Sequence, residues 1–223
     1  QVLDPAEPVS IGAMVGPEAF MEVRYLAHAK QMQALELIPQ LAAEFKTTFG
    51  RDSGGLTRSY RTEGAETIVV ALGSILGTIK DVVDEMRDAG EKIGVLGITS
   101  FRPFPLESVR AAVKNAKRVV VLEKSLAVGI SGILASDVRK ALRKLPIDVF
   151  TVIAGLGGRA ITKKSLHALF LKLPLETEES LTFLDLDWGV VNRQLERERQ
   201  TRRSGPAAEN MLRDIGTVAS KIA

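Results

Sequence analysis

The sequence predicts an α/β protein built on a doubly wound, mostly parallel β-sheet, with an N-terminal helical arm and a charged C-terminal extension. Two observations lead to this prediction: four short apolar runs recur along the chain, and amphipathic helical patterns separate them. Parallel strands need long crossover connections, which are usually helices packed on the faces of the sheet, so this alternation favours a parallel sheet. The four runs are 67–72, 92–98, 118–122 and 147–153.

Composition limits the class of protein. A chain of 223 residues with 45% hydrophobic residues can bury a core as one large or two small domains. Its apolar runs fall far short of the ~20 residues that span a bilayer, so we expect no membrane segment. The 30 basic and 27 acidic residues are mostly interspersed and only 5% of residues are aromatic, so nucleic acid is not an expected partner.

The absence of cysteine excludes disulfides and thiolate-held zinc or iron–sulfur sites within this chain. It also fits a reducing compartment, and the N-terminal residues have neither the basic nor the apolar region of a secretory signal. We therefore expect a cytoplasmic protein. Because the chain starts with Gln1 instead of Met, we expect it to result from processing, trimming or excision from a longer chain.

The first predicted element is a long helix that follows an irregular arm at residues 1–16. Pro17 suits the first turn of a helix, and a helical pattern continues to about Thr48, with Gly50 as its stop. An apolar stripe recurs at helical spacing: Ala34, Ile38, Leu41, Phe45 and Phe49. Pro39 lies inside the pattern, where proline removes a hydrogen bond, and predicts a kink or two abutting helices.

The middle of the chain then alternates between strands and helices. Polar residues 51–65 indicate a linker or a hairpin. Three helical patterns connect the four runs: one ends at Gly90, one begins near Pro105, and one covers 133–142 before Pro146. A further helix is predicted to begin near Thr162.

The pattern weakens after Leu173, where the charged segments Glu176–Glu179 and Arg193–Arg203 predict an extension that packs on a partner or stays partly mobile. The predicted organisation is an N-terminal arm and helix at 1–64, an α/β domain at 65–172 and a charged extension at 173–223.

Candidate binding residues follow the strands of the predicted sheet. Ligands of open parallel sheets usually bind at the carboxyl ends of the strands. Arg102, Lys124 and Arg159 are expected at this edge, where they could bind an anion or a partner's carboxylate, with solvated or locally paired charge as the favoured alternative. Ser74 is interpreted as a helix N-cap in preference to a phosphate ligand. Gly157, in the same loop as Arg159, completes the candidate set.

Other motifs predict no catalytic or metal-binding residue. The sequence Gly155-Leu-Gly-Gly-Arg159 lacks the glycine spacing of a dinucleotide-binding loop and follows the last strand instead of the first. His28 and His167 lie far apart with no metal-ligand spacing, and are interpreted as surface or interface residues. The pairs Asp84-Glu85 and Glu178-Glu179 occur in charged runs and show no catalytic dyad.

Several segments together resemble the alpha subunit of the 2-oxoacid:ferredoxin oxidoreductases, most closely the pyruvate:ferredoxin group. The segments in the core are Ala71–Arg87, Gly94–Pro105 and Gly155–Arg159, and those before it are Leu3–Pro5, Gly16–Arg24 and Glu44–Asp52. The resemblance covers about residues 1–170. It implies a domain similar to the C-terminal domain of transketolase. Residues 1–64 would then be the last part of the thiamine domain that precedes it in the family, and the rest of that N-terminal domain is missing from this sequence.

The resemblance also implies a function. Such complexes decarboxylate a 2-oxoacid oxidatively on thiamine diphosphate with Mg²⁺, pass electrons through iron–sulfur clusters to ferredoxin, and transfer the acyl group to coenzyme A. The partners implied are the thiamine domain, the beta, gamma and delta subunits, and ferredoxin. None of the family's cofactor-binding positions falls in this chain, so we expect it to bind no cofactor alone and to be inactive by itself.

Two functional hypotheses result. In the first, the chain provides scaffold and subunit contacts in such a complex, with pyruvate as the expected oxoacid. In the second, it is a stand-alone α/β module that binds a small anionic effector at Arg102, Lys124 and Arg159.

Overall fold

The computed structural model describes residues 4–8, 12, 14–173, 181–201 and 207–216. The strands are β1 Thr57–Tyr60, β2 Thr67–Ala71, β3 Ile93–Ile98, β4 Arg118–Glu123, β5 Asp148–Ile153 and β6 Leu181–Phe183. The helices are α1 Pro17–Phe49, α2 Ile75–Asp88, α3 Leu106–Val113, α4 Ile133–Leu142, α5 Lys163–Lys172, α6 Trp188–Thr201 and α7 Ala207–Ile215, with a 3-10 turn at Leu156–Gly158.

The strands form a single sheet in the order β1-β3-β2-β4-β5-β6. Strands β2 to β6 pair in parallel, and β1 pairs with β3 antiparallel. All four predicted strands are confirmed. Every residue of β2 and β3 is buried, as expected for parallel strands that are covered on both faces and therefore appear in the sequence as nearly continuous apolar runs.

Helices cover both faces of the sheet. On one face, Ile79 of α2 and Leu166 of α5 are fully buried against the strands. On the other face, Val109 of α3 and Val138 of α4 are equally buried. This arrangement confirms the predicted doubly wound α/β fold.

Helix α1 begins and ends where the sequence predicts. Pro17 occupies its first turn, and Gly50 ends it in the left-handed conformation, donating its amide to the carbonyl of Lys46 at 2.9 Å. The helix continues through Pro39, so the expectation of two abutting helices is wrong. Proline removes a single amide donor, and the bonds on either side of it carry the helix past that point.

The polar segment 51–65 is neither a linker nor a hairpin, because it contains β1 at the edge of the sheet. The chain passes so close to β3 after this strand that a Cβ on Gly94 would lie 2.4 Å from the carbonyl oxygen of Arg61. The phenol of Tyr60 donates to Asp84 of α2 at 2.7 Å. This contact fixes β1 against the domain.

The C-terminal extension also joins the domain. Its strand β6 pairs with β5 in parallel, and Val190 and Gln194 of α6 are buried. The extension was predicted to pack on a partner or stay partly mobile, so its packing on this domain corrects that prediction for 181–201. The charged segment Glu176–Glu179 and the end of the basic run, Arg202 and Arg203, lie outside the described residues.

A carboxylate at the amino edge of the sheet predicts how stability depends on pH. Glu66 accepts from Lys117 at 2.7 Å and from Lys92 at 2.9 Å. Hydrogen bonds from these two ammonium groups lower the pKa of Glu66 from 4.5 to about 2. Since this pKa is depressed in the folded state, the contacts of Glu66 with the two lysines stabilise the protein fully above about pH 4.5. This contribution is lost as the pH falls towards 2.

We therefore expect Glu66→Gln to lower the unfolding free energy near pH 7 and to flatten its decline between about pH 5 and about pH 2. The effect will be modest because water screens the pair. Urea unfolding across this range measures it. Glu91→Gln removes a nearby exposed carboxylate and serves as the control. An unchanged pH profile for Glu66→Gln would contradict the assignment.

Candidate functional site

The order of the strands places a crevice at the carboxyl ends of β2 and β4. From β2 the chain passes through α2 to β3, which pairs with one side of β2. From β3 it passes through α3, on the opposite face of the sheet, to β4, which pairs with the other side of β2. Such topological switch points are where open α/β sheets usually bind ligands. A cleft of about 420 Å³ opens here, which we call the switch-point cleft; its lining is Leu72, Gly73, Ser74, Phe101, Glu123, Lys124, Ser125, Ile133 and Leu134.

A buried carboxylate forms the floor of this cleft. Glu123, the last residue of β4, is only 4% exposed. Its oxygens accept from the amides of Leu134 at 2.8 Å and Ala135 at 3.0 Å, and from the hydroxyl of Ser125 at 2.8 Å. The two amides belong to the first turn of α4, where the helix dipole favours negative charge. The protein's own carboxylate therefore occupies the anion-binding end of α4.

Close approach of the backbone makes this arrangement possible. A Cβ added to Gly132, the residue before α4, would lie 1.8 Å from Glu123 Oε1. Sequence reasoning did not identify Glu123 as a site residue. The signal available was an acidic residue that ends an apolar strand, followed by a glycine directly before a helix.

The two predicted residues of the switch-point cleft are Ser74 and Lys124. Ser74 occupies the predicted N-cap position of α2, but its side chain makes no capping hydrogen bond, so the expectation that it satisfies a free amide of the helix is wrong. Lys124 is exposed, and its Cε lies 3.0 Å from the position that a Cβ on Gly155 would take. Among the described residues, no hydrogen bond or ion pair engages the ammonium of Lys124.

Arg102 lines a different cleft, of about 600 Å³, between α1 and the loop that leads to α3. Its guanidinium lies 2.8 Å from the carboxylate of Asp137 on α4 and 4.1 Å from the centre of the Phe101 ring. Arg102 is thus engaged by its own chain.

The loop after β5 contains Gly157 and Arg159. Gly157 has a φ of +66° within the 3-10 turn, and Arg159 lines a small cleft beside β6. The guanidinium of Arg159 donates to the backbone carbonyl of Asp185. The three predicted cations therefore lie in three separate clefts; Arg102 pairs with a carboxylate, and Arg159 donates to a backbone carbonyl.

The other candidates of the sequence are also separated. His28 lines the cleft beside α1. His167 belongs to α5, and its Nε2 lies 2.6 Å from a carboxylate oxygen of Glu85 on α2. Glu85 also pairs with Lys163, and these hydrogen bonds lower its pKa. Asp84 instead faces Arg61 at 2.6 Å. The described part of the chain contains no group of three or more acidic or histidine side chains arranged to hold a metal ion.

The sequence of this chain is similar to those of several known proteins. Residues 65–166 match the family model of pyruvate:ferredoxin oxidoreductase core domain II. Pyruvate synthase subunit PorA of Methanosarcina barkeri is 41% identical over 192 residues, which cover 83% of this chain and 48% of that protein. PorA of Methanothermobacter thermautotrophicus is 37% identical over 185 residues, covering 83% and 47%. The chain thus spans about half the length of the curated relatives it matches.

Among solved structures, 2-oxoglutarate:ferredoxin oxidoreductase from Magnetococcus marinus, with 2-oxoglutarate, coenzyme A and succinyl-CoA bound, aligns with a TM-score of 0.41. The alignment has 16% identity and covers 58% of this chain and 21% of that chain. No helix in the described ranges has the length and hydropathy needed to cross a bilayer.

The contact between Gly132 and Glu123 predicts the effect of a single methyl group. Gly132→Ala should lower the unfolding free energy by about 1–3 kcal/mol, because the new Cβ displaces the carboxylate from the α4 amides. The backbone of Gly132, with φ −71°, accepts alanine, so the effect is purely steric.

Gly77→Ala is the matched control, because nothing lies within 4 Å of its new Cβ and alanine suits the interior of α2. Chemical denaturation of the two variants measures the difference. Equal stability of both would show that Glu123 tolerates displacement.

Proposed function

Because residues 65–166 match the family model of pyruvate:ferredoxin oxidoreductase core domain II, we propose that this chain contributes that domain to the alpha subunit of a 2-oxoacid:ferredoxin oxidoreductase. The complex would carry out the oxidative decarboxylation of a 2-oxoacid with coenzyme A and ferredoxin as acceptors. Pyruvate is the proposed oxoacid. The observation that carries this proposal is the 41% identity to a pyruvate synthase subunit across 83% of the chain.

The role proposed for this chain is to hold other parts of the complex in place. The surface of α1 supports it, because none of the helix's residues is buried. Large apolar side chains are exposed along it, among them Met21 at 78%, Tyr25 at 68% and Leu26 at 62%. Apolar patches of this kind on a protein surface usually mark sites of interaction with another protein. We propose that α1 contacts the thiamine-binding part of the complex.

The cofactors of the proposed complex would be bound elsewhere. The chain has no cysteine, so it offers no thiolate for an iron–sulfur cluster. We assign no residue of this chain to thiamine diphosphate, Mg²⁺ or coenzyme A. The proposed partners are therefore the chains or domains that carry these groups, including the beta, gamma and delta subunits, with ferredoxin as the electron acceptor and the cytoplasm as the location.

The alternative function, a stand-alone module that binds an anionic effector with three cations, has less support. Arg102 pairs with Asp137 and Arg159 donates to the backbone of Asp185, so recruiting both would break existing contacts. The separate engagement of these residues favours the subunit proposal.

Native mass spectrometry of the tagged chain, purified from its own host, tests the proposal. We expect the chain to co-purify with partner chains, thiamine diphosphate and iron. A free monomer with none of these components would contradict the proposed function.

The proposed contact surface of α1 can be tested by introducing negatively charged side chains. Tyr25→Glu combined with Leu26→Glu should reduce the partner chains recovered with this chain at least about tenfold, because each new carboxylate would be desolvated in an apolar interface. Native mass spectrometry measures the recovery, and circular dichroism confirms that the fold is unchanged.

The matched control is Gln33→Glu combined with Gln40→Glu, which adds the same charge at exposed polar positions of the same helix. Equal loss of partners in both double variants would show an effect of net charge instead of a contact at Tyr25 and Leu26.

A further inference from the structure

We propose that the switch-point cleft binds a small molecule in which an apolar body carries a single anionic group, such as a carboxylate with an aromatic or branched chain. The first support is its position, at the point of the sheet where ligands of this fold class bind. Its volume of about 420 Å³ lies within the usual range of ligand sites. The proposal goes beyond the subunit function and needs no partner chain.

The walls of the cleft fit the apolar body. Leu72, Phe101 and Ile133 come from three different segments and converge on the opening, where they are 38%, 37% and 41% exposed. Leu134 also lines the cleft and is buried. A ligand that covers the exposed parts of these side chains removes apolar surface of both molecules from water.

The charge of the cleft fits the anionic group. Two amides and one hydroxyl already hydrogen-bond the carboxylate of Glu123, and the amino end of α4 stabilises its negative charge, so it does not call for a cationic ligand. The remaining charged group in the lining is Lys124, whose ammonium has no partner among the described residues. Since Ser74 makes no capping bond, its hydroxyl can donate to the same anion.

The polar groups also limit the class of ligand. The first-turn amides of α4 that commonly bind phosphate are taken by Glu123. In α2, the amides of Leu76 and Gly77 donate to the carbonyls of Gly73 and Ser74. Among the described residues of the lining, one cation without a partner and these occupied amides suit a single anionic group better than a polyphosphate.

Titration of the full chain with 3-phenylpropanoate, followed by amide resonances in NMR spectra, tests the proposal. We expect saturable shifts at the residues of the switch-point cleft. The neutral analogue 3-phenylpropanamide and inorganic phosphate should each bind more weakly, since the first lacks the charge and the second lacks the apolar body. Absence of saturable shifts at tens of millimolar, or equal binding of the neutral analogue, would overturn the proposal.

Variants separate the two parts of the site. Lys124→Met should weaken binding of 3-phenylpropanoate about fivefold or more, whereas Lys114→Met, the same exchange at an exposed position near the opposite edge of the sheet, should not. Ile133→Ser should weaken binding of both phenyl compounds by a similar factor. Unchanged affinity of Lys124→Met would refute the role of the cation. The outcome does not depend on whether the chain assembles into a complex.

Discussion

The buried carboxylate of Glu123 determines the structure of the carboxyl edge of the sheet. Taking a charged carboxylate out of water is costly unless it is fully hydrogen-bonded, and here three donors meet it. Two of them are amides at the start of α4, so the same interaction joins the end of β4 to the helix that crosses to β5. It also requires a glycine at position 132, because no side chain fits beside the carboxylate. The position of α4 and the charge of the cleft beside it both follow from this contact.

The sheet domain and α1 have different physical characters. The strands and their four covering helices bury apolar residues on both faces, whereas α1 buries none of its 33 residues. Helices in proteins gain most of their stability from tertiary contacts of an apolar face. A long helix that contains Pro39 and exposes Phe20, Tyr25 and Leu26 receives only part of that contribution from this chain. A second protein surface against α1 would supply the rest, which is the physical basis of the proposed subunit role.

The elements that could be predicted from the sequence are those whose burial leaves a pattern. Strands β2 to β5 are covered on both faces and appear as apolar runs, and the helices between them show one apolar side. Strand β1 was missed because it consists of Thr57-Arg-Ser-Tyr60, with two exposed residues, and gains its place from pairing with β3. Strand β6 has only three residues. Periodicity does not detect such edge strands.

The same limit applies to the candidate site. Topology alone places Arg102, Lys124 and Arg159 after the carboxyl ends of strands, and this could be predicted. Their partners could not, since Asp137 and Asp185 are distant in sequence and no local pattern indicates which side chain meets which. Basic residues that share a predicted sheet edge therefore need not form one basic surface in the fold, and of the three candidates Lys124 is the one with no hydrogen bond or ion pair among the described residues.

The separation of the clefts bears on how the two proposed interactions combine. Three residues of α1, among them His28 and Met32, line the cleft beside Arg102, so a partner that covers α1 would change access to it. The lining of the switch-point cleft contains no residue of α1. Its polar groups are supplied by the loops after β2 and β4, and its shape is fixed by Glu123 from within the sheet domain. A partner on α1 and a small anion beside Lys124 can therefore be bound by the same chain without competing for a common residue.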